Sequence, residues 1–246
     1  MANWTPLKLV LPEQLKNLES VTPDCFKSPQ ELFSCVACED LGWIIGAKGA
    51  KQCECLRVKQ RQRLLDRIPP EYRGLDLSTI QPDPSRHEGQ ASLIGALRAD
   101  PAMSLILSGR VGCGKSMIGW LLYKRAIEAE RPAVAIPLAE LLGQFRRYEC
   151  GSEQLPAVTS DTLRDSSRRW FIFLDEFDKA RVSEFAGEQL FLLMDAIYTY
   201  RHQLVVTANV DKDGLRQHWS QHGEGYGVSV MRRLLELEGM ARKEMF

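Results

Sequence analysis

The sequence predicts an α/β domain built on a parallel sheet, with a small metal-binding module before it. Three observations predict this arrangement. Short apolar strands alternate with helices from about residue 91, a glycine-rich loop joins the first of these strands to a helix, and four cysteines cluster within residues 35–55. Continuous apolar strands between helices are typical of a parallel sheet that is covered on both faces.

The elements of the α/β domain follow from the apolar runs and their boundaries. Strands are predicted at 104–109, 133–137, 170–175 and 203–209. Helices are predicted at about 115–130, 138–148 and 184–200, and a basic helix at 56–68 ends at two prolines. A segment with further Pro and Gly residues follows and is typical of a connector. We therefore predict a module at 1–75, a linker at 76–90 and the α/β domain at 91–246.

The composition is that of an ordinary globular protein. Hydrophobic residues make up 44% of the chain, and 32 basic residues balance 32 acidic ones, so a nucleic-acid contact must come from a local patch. No apolar run approaches the roughly 20 residues that span a bilayer, and the first residues lack the pattern of a secretory signal. We expect a cytoplasmic protein without a membrane partner, in which the seven cysteines are not disulfides.

The run GRVGCGKS matches the P-loop pattern G-x-x-x-x-G-K-S in full, between an apolar strand and a helix. Glycines let backbone N–H groups surround phosphates, and the start of the helix favours negative charge. Lys115 is expected to contact the β- and γ-phosphates, and the Ser116 hydroxyl to hold Mg²⁺. The residues predicted to bind ATP are Gly109, Arg110, Val111, Gly112, Cys113, Gly114, Lys115, Ser116 and Met117.

Polar residues at the ends of two later strands are expected to complete the ATP site. Asp175 would reach Mg²⁺ through water, and Glu176 would polarise the attacking water. Asn209 would orient that water or sense the γ-phosphate; alternatively it is a helix cap or turn residue. Of Arg232 and Arg233, we expect Arg233 to act on the ATP site of a neighbouring subunit, although an ordinary solvated helix face is the alternative.

The cysteines form the pattern C-x-x-C, fourteen intervening residues, then C-x-C, which predicts a structural zinc site. The expected ligands are Cys35, Cys38, Cys53 and Cys55. Cys25 is a substitute ligand and His87 a remote one, while Cys113 and Cys150 are expected to take no part; four unliganded thiols are the alternative. Basic side chains follow the cluster and either contact phosphates or simply face solvent: Arg57, Lys59, Arg61 and Arg63.

In this order the motifs resemble those of the DnaC/DnaI-type replicative helicase loaders and the related IstB transposition ATPases. The resemblance covers about residues 35–238, including the D-x-G-W turn, RIPPEYRG, the P-loop, LDEFDK, TAN and RRLLE. It implies an AAA+ P-loop NTPase core without a helical lid. The residues matching its Walker A, Walker B, sensor 1 and arginine-finger positions are Lys115, Ser116, Asp175, Glu176, Asn209 and Arg233.

The resemblance further implies a weak, regulated ATPase that forms a homo-oligomer on ATP binding. Such a protein binds single-stranded DNA and delivers a DnaB-like hexameric helicase, which the N-terminal module holds. The arginines considered for DNA contact are Arg146, Arg147, Arg168 and Arg169. Two alternatives remain: an IstB-like ATPase that assembles on duplex DNA and recruits a transposase, and an adaptor that binds ATP with little hydrolysis.

Overall fold

The computed structural model describes residues 34–46, 49–82, 89–220 and 225–243, with side chains to Leu237 in the last range. Cys25 and His87 lie outside these residues. Contacts divide the chain into two units, Met1–Gln62 and Arg63–Phe246. No helix in the described ranges has both the length and the apolar character needed to cross a membrane.

The first unit contains a two-stranded antiparallel sheet. Strand β1 (Trp43–Gly46) pairs with β2 (Gly49–Gln52), and helix α1 (Glu54–Asp66) follows. The basic helix expected at 56–68 therefore exists and begins two residues earlier. Ahead of β1 the chain turns sharply, since Glu39, Asp40 and Gly42 all have positive φ angles of 50°, 62° and 76°.

The second unit contains a four-stranded parallel sheet in the order β3-β6-β5-β4. Its strands are β3 (Leu105–Ser108), β4 (Ala133–Pro137), β5 (Phe171–Asp175) and β6 (Gln203–Ala208). Its helices are α2 (Pro70–Arg73), α3 (Gln90–Ala99), α4 (Lys115–Glu128), α5 (Leu138–Glu149), α6 (Ser160–Arg164), α7 (Glu184–Thr199), α8 (Lys212–Ser220) and α9 (Tyr226–Lys243). All four predicted strands and the three predicted helices of this domain are confirmed.

Successive strand residues are buried on opposite faces of the sheet, as a period of two requires. Ile172 and Leu174 pack in the cluster that includes helices α5, α7, α8 and α9. Phe171 and Phe173 pack on the other face with α3 and α4. Gly119 permits close packing of α4, because a Cβ there would lie 2.3 Å from the Phe173 ring. Both faces are covered, and the helix after the P-loop is held firmly against the sheet.

The segment before α3 packs on the ATPase-like unit rather than standing apart from it. Ile68 and Leu77 are buried in the core on the α4 face. The Lys124 ammonium donates to the carbonyl oxygens of Arg73 at 3.1 Å and Leu75 at 2.9 Å. By contacts, the second unit therefore begins at Arg63, whereas we had predicted a module to 75 and a linker at 76–90. The functional division into those parts stays a prediction, because contacts do not show what each part binds.

Buried polar side chains hold the amino-terminal edge of the sheet together. Arg131, ahead of β4, donates to the Gln203 side chain at 2.7 Å and to the Trp170 carbonyl at 3.1 Å. Gln203 donates to the carbonyl oxygens of Pro101 at 2.8 Å and Met103 at 3.0 Å. Each buried donor and acceptor thus has a partner, which avoids the cost of an unsatisfied polar group.

His202 makes the stability of this edge depend on pH. Its Nδ1 accepts the Trp170 N–H at 3.1 Å, so Nε2 carries the proton and donates to the Leu163 carbonyl at 3.0 Å. Burial lowers the pKa of His202 below 6.5, and the nearby cations Arg169 and Arg131 lower it further, against the opposing hydrogen bond to Leu163. The folded state therefore favours neutral imidazole.

We predict that the free energy of unfolding falls as the pH is lowered through 6.5, because the unfolded chain then binds a proton that folded His202 resists. Chemical denaturation between pH 8 and pH 5.5 measures this loss. His202→Asn removes the titrating group and should flatten this part of the profile. An identical pH dependence in the variant would contradict the prediction.

Candidate functional site

The P-loop lies at the carboxyl edge of the parallel sheet, between β3 and α4. Gly109, Gly112 and Gly114 have φ angles of 142°, 83° and 92°, which other residues rarely adopt. The Lys115 ammonium donates to the carbonyl oxygens of Gly109 at 2.7 Å and Arg110 at 2.8 Å. The glycine spacing thus produces a loop that curls around the lysine, at the start of a fourteen-residue helix.

Ser116 and Asp175, the two predicted magnesium ligands, are brought together across 59 positions of sequence. The Ser116 hydroxyl donates to Asp175 Oδ1 at 3.1 Å. Asp175 is the last residue of β5, and parallel strands place their carboxyl ends at one edge. A hydroxyl and a carboxylate are the oxygen donors that Mg²⁺ prefers, so this pair fits the ion chemically.

Glu176 follows Asp175 in a left-handed turn, with φ at 54°. Its N–H donates to the Thr207 hydroxyl at 3.0 Å and lies 3.2 Å from Asp175 Oδ1. The side chain of Glu176 is exposed, whereas the next residue, Phe177, is fully buried. The turn therefore leaves the carboxylate accessible at the sheet edge while anchoring the chain behind it.

Asn209 follows the neighbouring strand β6, and its N–H donates to Asp178 Oδ1 at 3.1 Å. The role of helix cap belongs to another residue. Asp211 lies directly before α8, and its Oδ1 accepts the Gly214 N–H at 2.7 Å. Asn209 thus lies at the predicted edge without capping the helix that follows, while its catalytic role remains a prediction.

Arg233 is held within its own chain. Its guanidinium donates to Asp195 at 2.9 Å and to Glu236 at 3.1 Å, and it lies 4.6 Å from the centre of the Tyr198 ring. Only 22% of the side chain is exposed, against 64% for Arg232. Action on a neighbouring subunit would require Arg233 to leave these partners, so its predicted role carries an energetic condition that the sequence did not suggest.

The four predicted zinc ligands converge in the first unit. Their sulfur atoms all lie within 4.8 Å of one another, with Cys35 and Cys53 at 3.7 Å and Cys38 and Cys55 at 3.3 Å. Tetrahedral zinc with bonds of about 2.3 Å places its sulfurs about 3.8 Å apart. The cluster can therefore hold a metal ion of this size and geometry.

Backbone contacts prepare this cluster. The Asp40 carboxylate accepts the N–H groups of Ser34 at 2.9 Å and Cys35 at 3.1 Å, which fixes the first loop. These hydrogen bonds, with the Ser34 contact the largest, also lower the pKa of Asp40. Hydrogen bonds from the neighbouring thiols, Cys55 first, lower the pKa of Cys35 to about 7. A thiolate is thus accessible near neutral pH, and thiolates are what a metal ion binds.

Sequence reasoning missed three residues that shape the nucleotide edge. Thr207 and Asp178 join the ends of β5 and β6 through the contacts above. Gln90, at the start of α3, is buried, and its amide lies 3.5 Å from the Cys113 carbonyl of the P-loop. Thr207 was visible in the TAN motif; nothing in the local sequence marked Gln90, which reaches the loop across 23 positions.

The arginines considered for DNA contact differ in their surroundings. Arg146 lies on an open cleft of 490 Å³ beside Arg181, Ser183 and Glu184. Its guanidinium is 5.5 Å from the centre of the Phe185 ring. Arg169 instead donates to the Ala102 carbonyl at 3.1 Å at the opposite edge of the sheet.

The sequence matches no protein-family model, and no curated protein matches it. Solved structures do match. The crystal structure of the DnaC helicase loader gives a TM-score of 0.52 at 17% identity, over 69% of this chain and 96% of that one. The crystal structure of DnaI gives 0.52 at 16% identity, over 70% and 88%.

A third match is AMPPCP-bound DnaA from Aquifex aeolicus, with a TM-score of 0.50 at 13% identity over 71% of this chain and half of DnaA. Identities this low compare folds rather than activities. Together with the parallel sheet and its P-loop, these matches confirm the predicted structural likeness to DnaC and DnaI. The second unit therefore has the AAA+ fold of these replication proteins.

Proposed function

We propose that this protein is an ATP-dependent helicase loader that binds a replicative hexameric helicase and single-stranded DNA and delivers the helicase to the DNA. The observation that carries the proposal is the contact of the P-loop Ser116 with Asp175, within a fold that resembles DnaC over nearly its whole length. The alternative IstB-like function rests on the same fold without an observation that favours it over the loader.

In the proposed ATP site, Lys115 and the loop N–H groups bind the phosphates. Mg²⁺ would neutralise charge on the β- and γ-phosphates, with Ser116 and Asp175 as the residues that hold it. The exposed carboxylate of Glu176 polarises the attacking water, and Asn209 orients it from the next strand. Without a second acidic base near this edge, the turnover depends on Glu176.

The proposed oligomer joins the ATP site of one subunit to Arg233 of its neighbour. Leaving Asp195 and Glu236 costs Arg233 two charge-assisted hydrogen bonds, which the γ-phosphate region of the neighbour would replace. This exchange supports a protein whose hydrolysis is low until subunits assemble. Arg232, which is exposed and 3.8 Å from Glu236, is the comparison residue.

Zinc in the proposed module is structural, since four thiolates leave no open coordination position. Besides Cys38 and Cys53, the described part of the first unit has no buried hydrophobic residue. The metal would therefore replace the missing core. Apolar side chains are instead exposed: Val36, Leu41, Trp43, Ile44, Ile45 and Val58. An exposed apolar surface on a module of this size supports contact with a protein partner, here the helicase.

Single-stranded DNA is assigned in this proposal to the cleft beside Arg146 and Arg181. Guanidinium groups suit phosphates, and the Phe185 ring beside Arg146 adds an aromatic surface. Electron microscopy on single-stranded and duplex DNA separates the two DNA-binding functions. Long filaments on duplex DNA would overturn the loader in favour of the IstB-like ATPase.

We predict one zinc ion per chain, released when a mercurial reagent displaces it from the thiolates and counted with a chromogenic zinc indicator. Cys38→Ser should release none and should lose hydrogen-exchange protection in residues 34–62. Cys150→Ser, an exposed cysteine outside the cluster, is the matched control and should behave as wild type. Equal zinc release from Cys38→Ser would contradict the predicted ligand set.

We predict that Ile45→Asp weakens capture of the replicative helicase from the same source at least tenfold, because the side chain is 80% exposed on β1 and would be buried by the partner. Leu155→Asp, at a 67% exposed position of the second unit, is the control. Zinc content should be unchanged in both. Absence of a complex with wild type, with and without ATP, would overturn the loader proposal.

We predict that Lys115→Ala and Arg233→Ala each lose most of their ATPase activity, and that an equal mixture recovers it in part. About a quarter of the head-to-tail interfaces in such a mixture join an intact P-loop to an intact arginine. Arg232→Ala should retain activity alone. If Arg233→Ala stays active while Arg232→Ala is inactive, the trans-acting residue is Arg232.

A further inference from the structure

The Thr207 hydroxyl lies between the two acidic residues of the proposed ATP site. Thr207 belongs to β6 and is 2% exposed. Its Oγ1 donates its proton to Asp175 Oδ1 and accepts the Glu176 N–H at 3.0 Å. A hydroxyl has a single proton to donate, so this contact with Asp175 commits it. One buried side chain thus holds both residues from the neighbouring strand.

The backbone of Thr207 holds the same turn a second time. Its carbonyl accepts the Phe177 N–H at 2.9 Å, directly after Glu176. Glu176 has a φ of 54°, a conformation that a residue with a side chain keeps only when its surroundings impose it. The two N–H groups on either side of that turn are therefore both bonded to Thr207.

We infer that Thr207 is a positioning residue for ATP hydrolysis, which orients Asp175 toward the magnesium side of the site and presents the Glu176 carboxylate at the sheet edge. The inference rests on the proposed function and deepens it. It assigns to β6 two contributions, a hydroxyl within the strand and the Asn209 amide just beyond its end.

The arrangement predicts a separation between binding and turnover. Lys115 and the glycine loop hold the phosphates without contacting Thr207, so loss of the hydroxyl leaves nucleotide binding in place. Asp175 would lose one of the three donors at Oδ1, and the Glu176 N–H would lose its acceptor in the turn. The turn itself stays tied to β6 by Asp178 and the Asn209 N–H.

The test compares Thr207→Val, which keeps the shape and removes the hydroxyl, with Thr207→Ser, which keeps the hydroxyl. Ser104→Ala is the matched control, because the buried Ser104 hydroxyl accepts the Leu204 N–H at 3.1 Å at the other end of the same strand. Each is measured for kcat, for the Kd of ATP without magnesium, and for the Mg²⁺ concentration that gives half of the maximal rate.

We expect Thr207→Val to lower kcat at least tenfold and to raise the Mg²⁺ requirement, with the magnesium-free Kd of ATP within twofold of wild type. Thr207→Ser should recover most of kcat, and Ser104→Ala should keep it. Where Thr207→Val does not fold, Thr207→Ala takes its place in the comparison with Thr207→Ser.

Unchanged kcat in the variant without the hydroxyl, or a loss of ATP affinity as large as the loss of kcat, would overturn this inference while leaving the proposed function intact. Failure of Thr207→Ser to recover kcat would overturn it as well. A wild-type protein without ATPase activity, with and without single-stranded DNA, would overturn the proposed function and this inference together.

Discussion

One carboxylate oxygen, Asp175 Oδ1, accepts hydrogen bonds from Ser116, from the Glu176 N–H and from Thr207. Through these contacts the helix after the P-loop, the acidic end of β5 and the middle of the site formed by β6 are linked. The contacts depend on parallel pairing, which aligns the carboxyl ends of β5 and β6. They also depend on Gly119, which lets α4 approach Phe173 closely enough for Ser116 to reach the carboxylate.

The two edges of the sheet use polar groups in different ways. At the amino-terminal edge, Arg131, Gln203 and His202 satisfy one another and nearby carbonyl groups, and they are largely withdrawn from solvent. At the carboxyl edge the polar groups of Glu176 and Lys115 belong to a loop and a turn, where they can meet a ligand. A fully satisfied network at one end fixes the strand register that positions the reactive groups at the other.

The cysteine unit obeys a different physical rule. It has two short strands whose side chains are mostly exposed, and its buried side chains are cysteines. A unit so poor in apolar core cannot obtain much stability from the hydrophobic effect. Convergence of four sulfurs offers a metal ion as the organising centre, and this leaves residues such as Ile45 and Leu41 available at the surface.

The sequence by itself determined the strands, the P-loop and the spacing of the cysteines, because apolar runs, glycine placement and paired thiols are local signals. It also predicted that Asp175 and Asn209 end neighbouring parts of one edge. Only the tertiary structure decided the roles of Thr207 and Gln90 and the placement of Arg233 against Asp195, since these contacts join residues far apart in the chain. It likewise decided that the segment from Arg63 packs on the second unit, because burial of Ile68 and Leu77 depends on a surface that only the folded sheet and α4 provide.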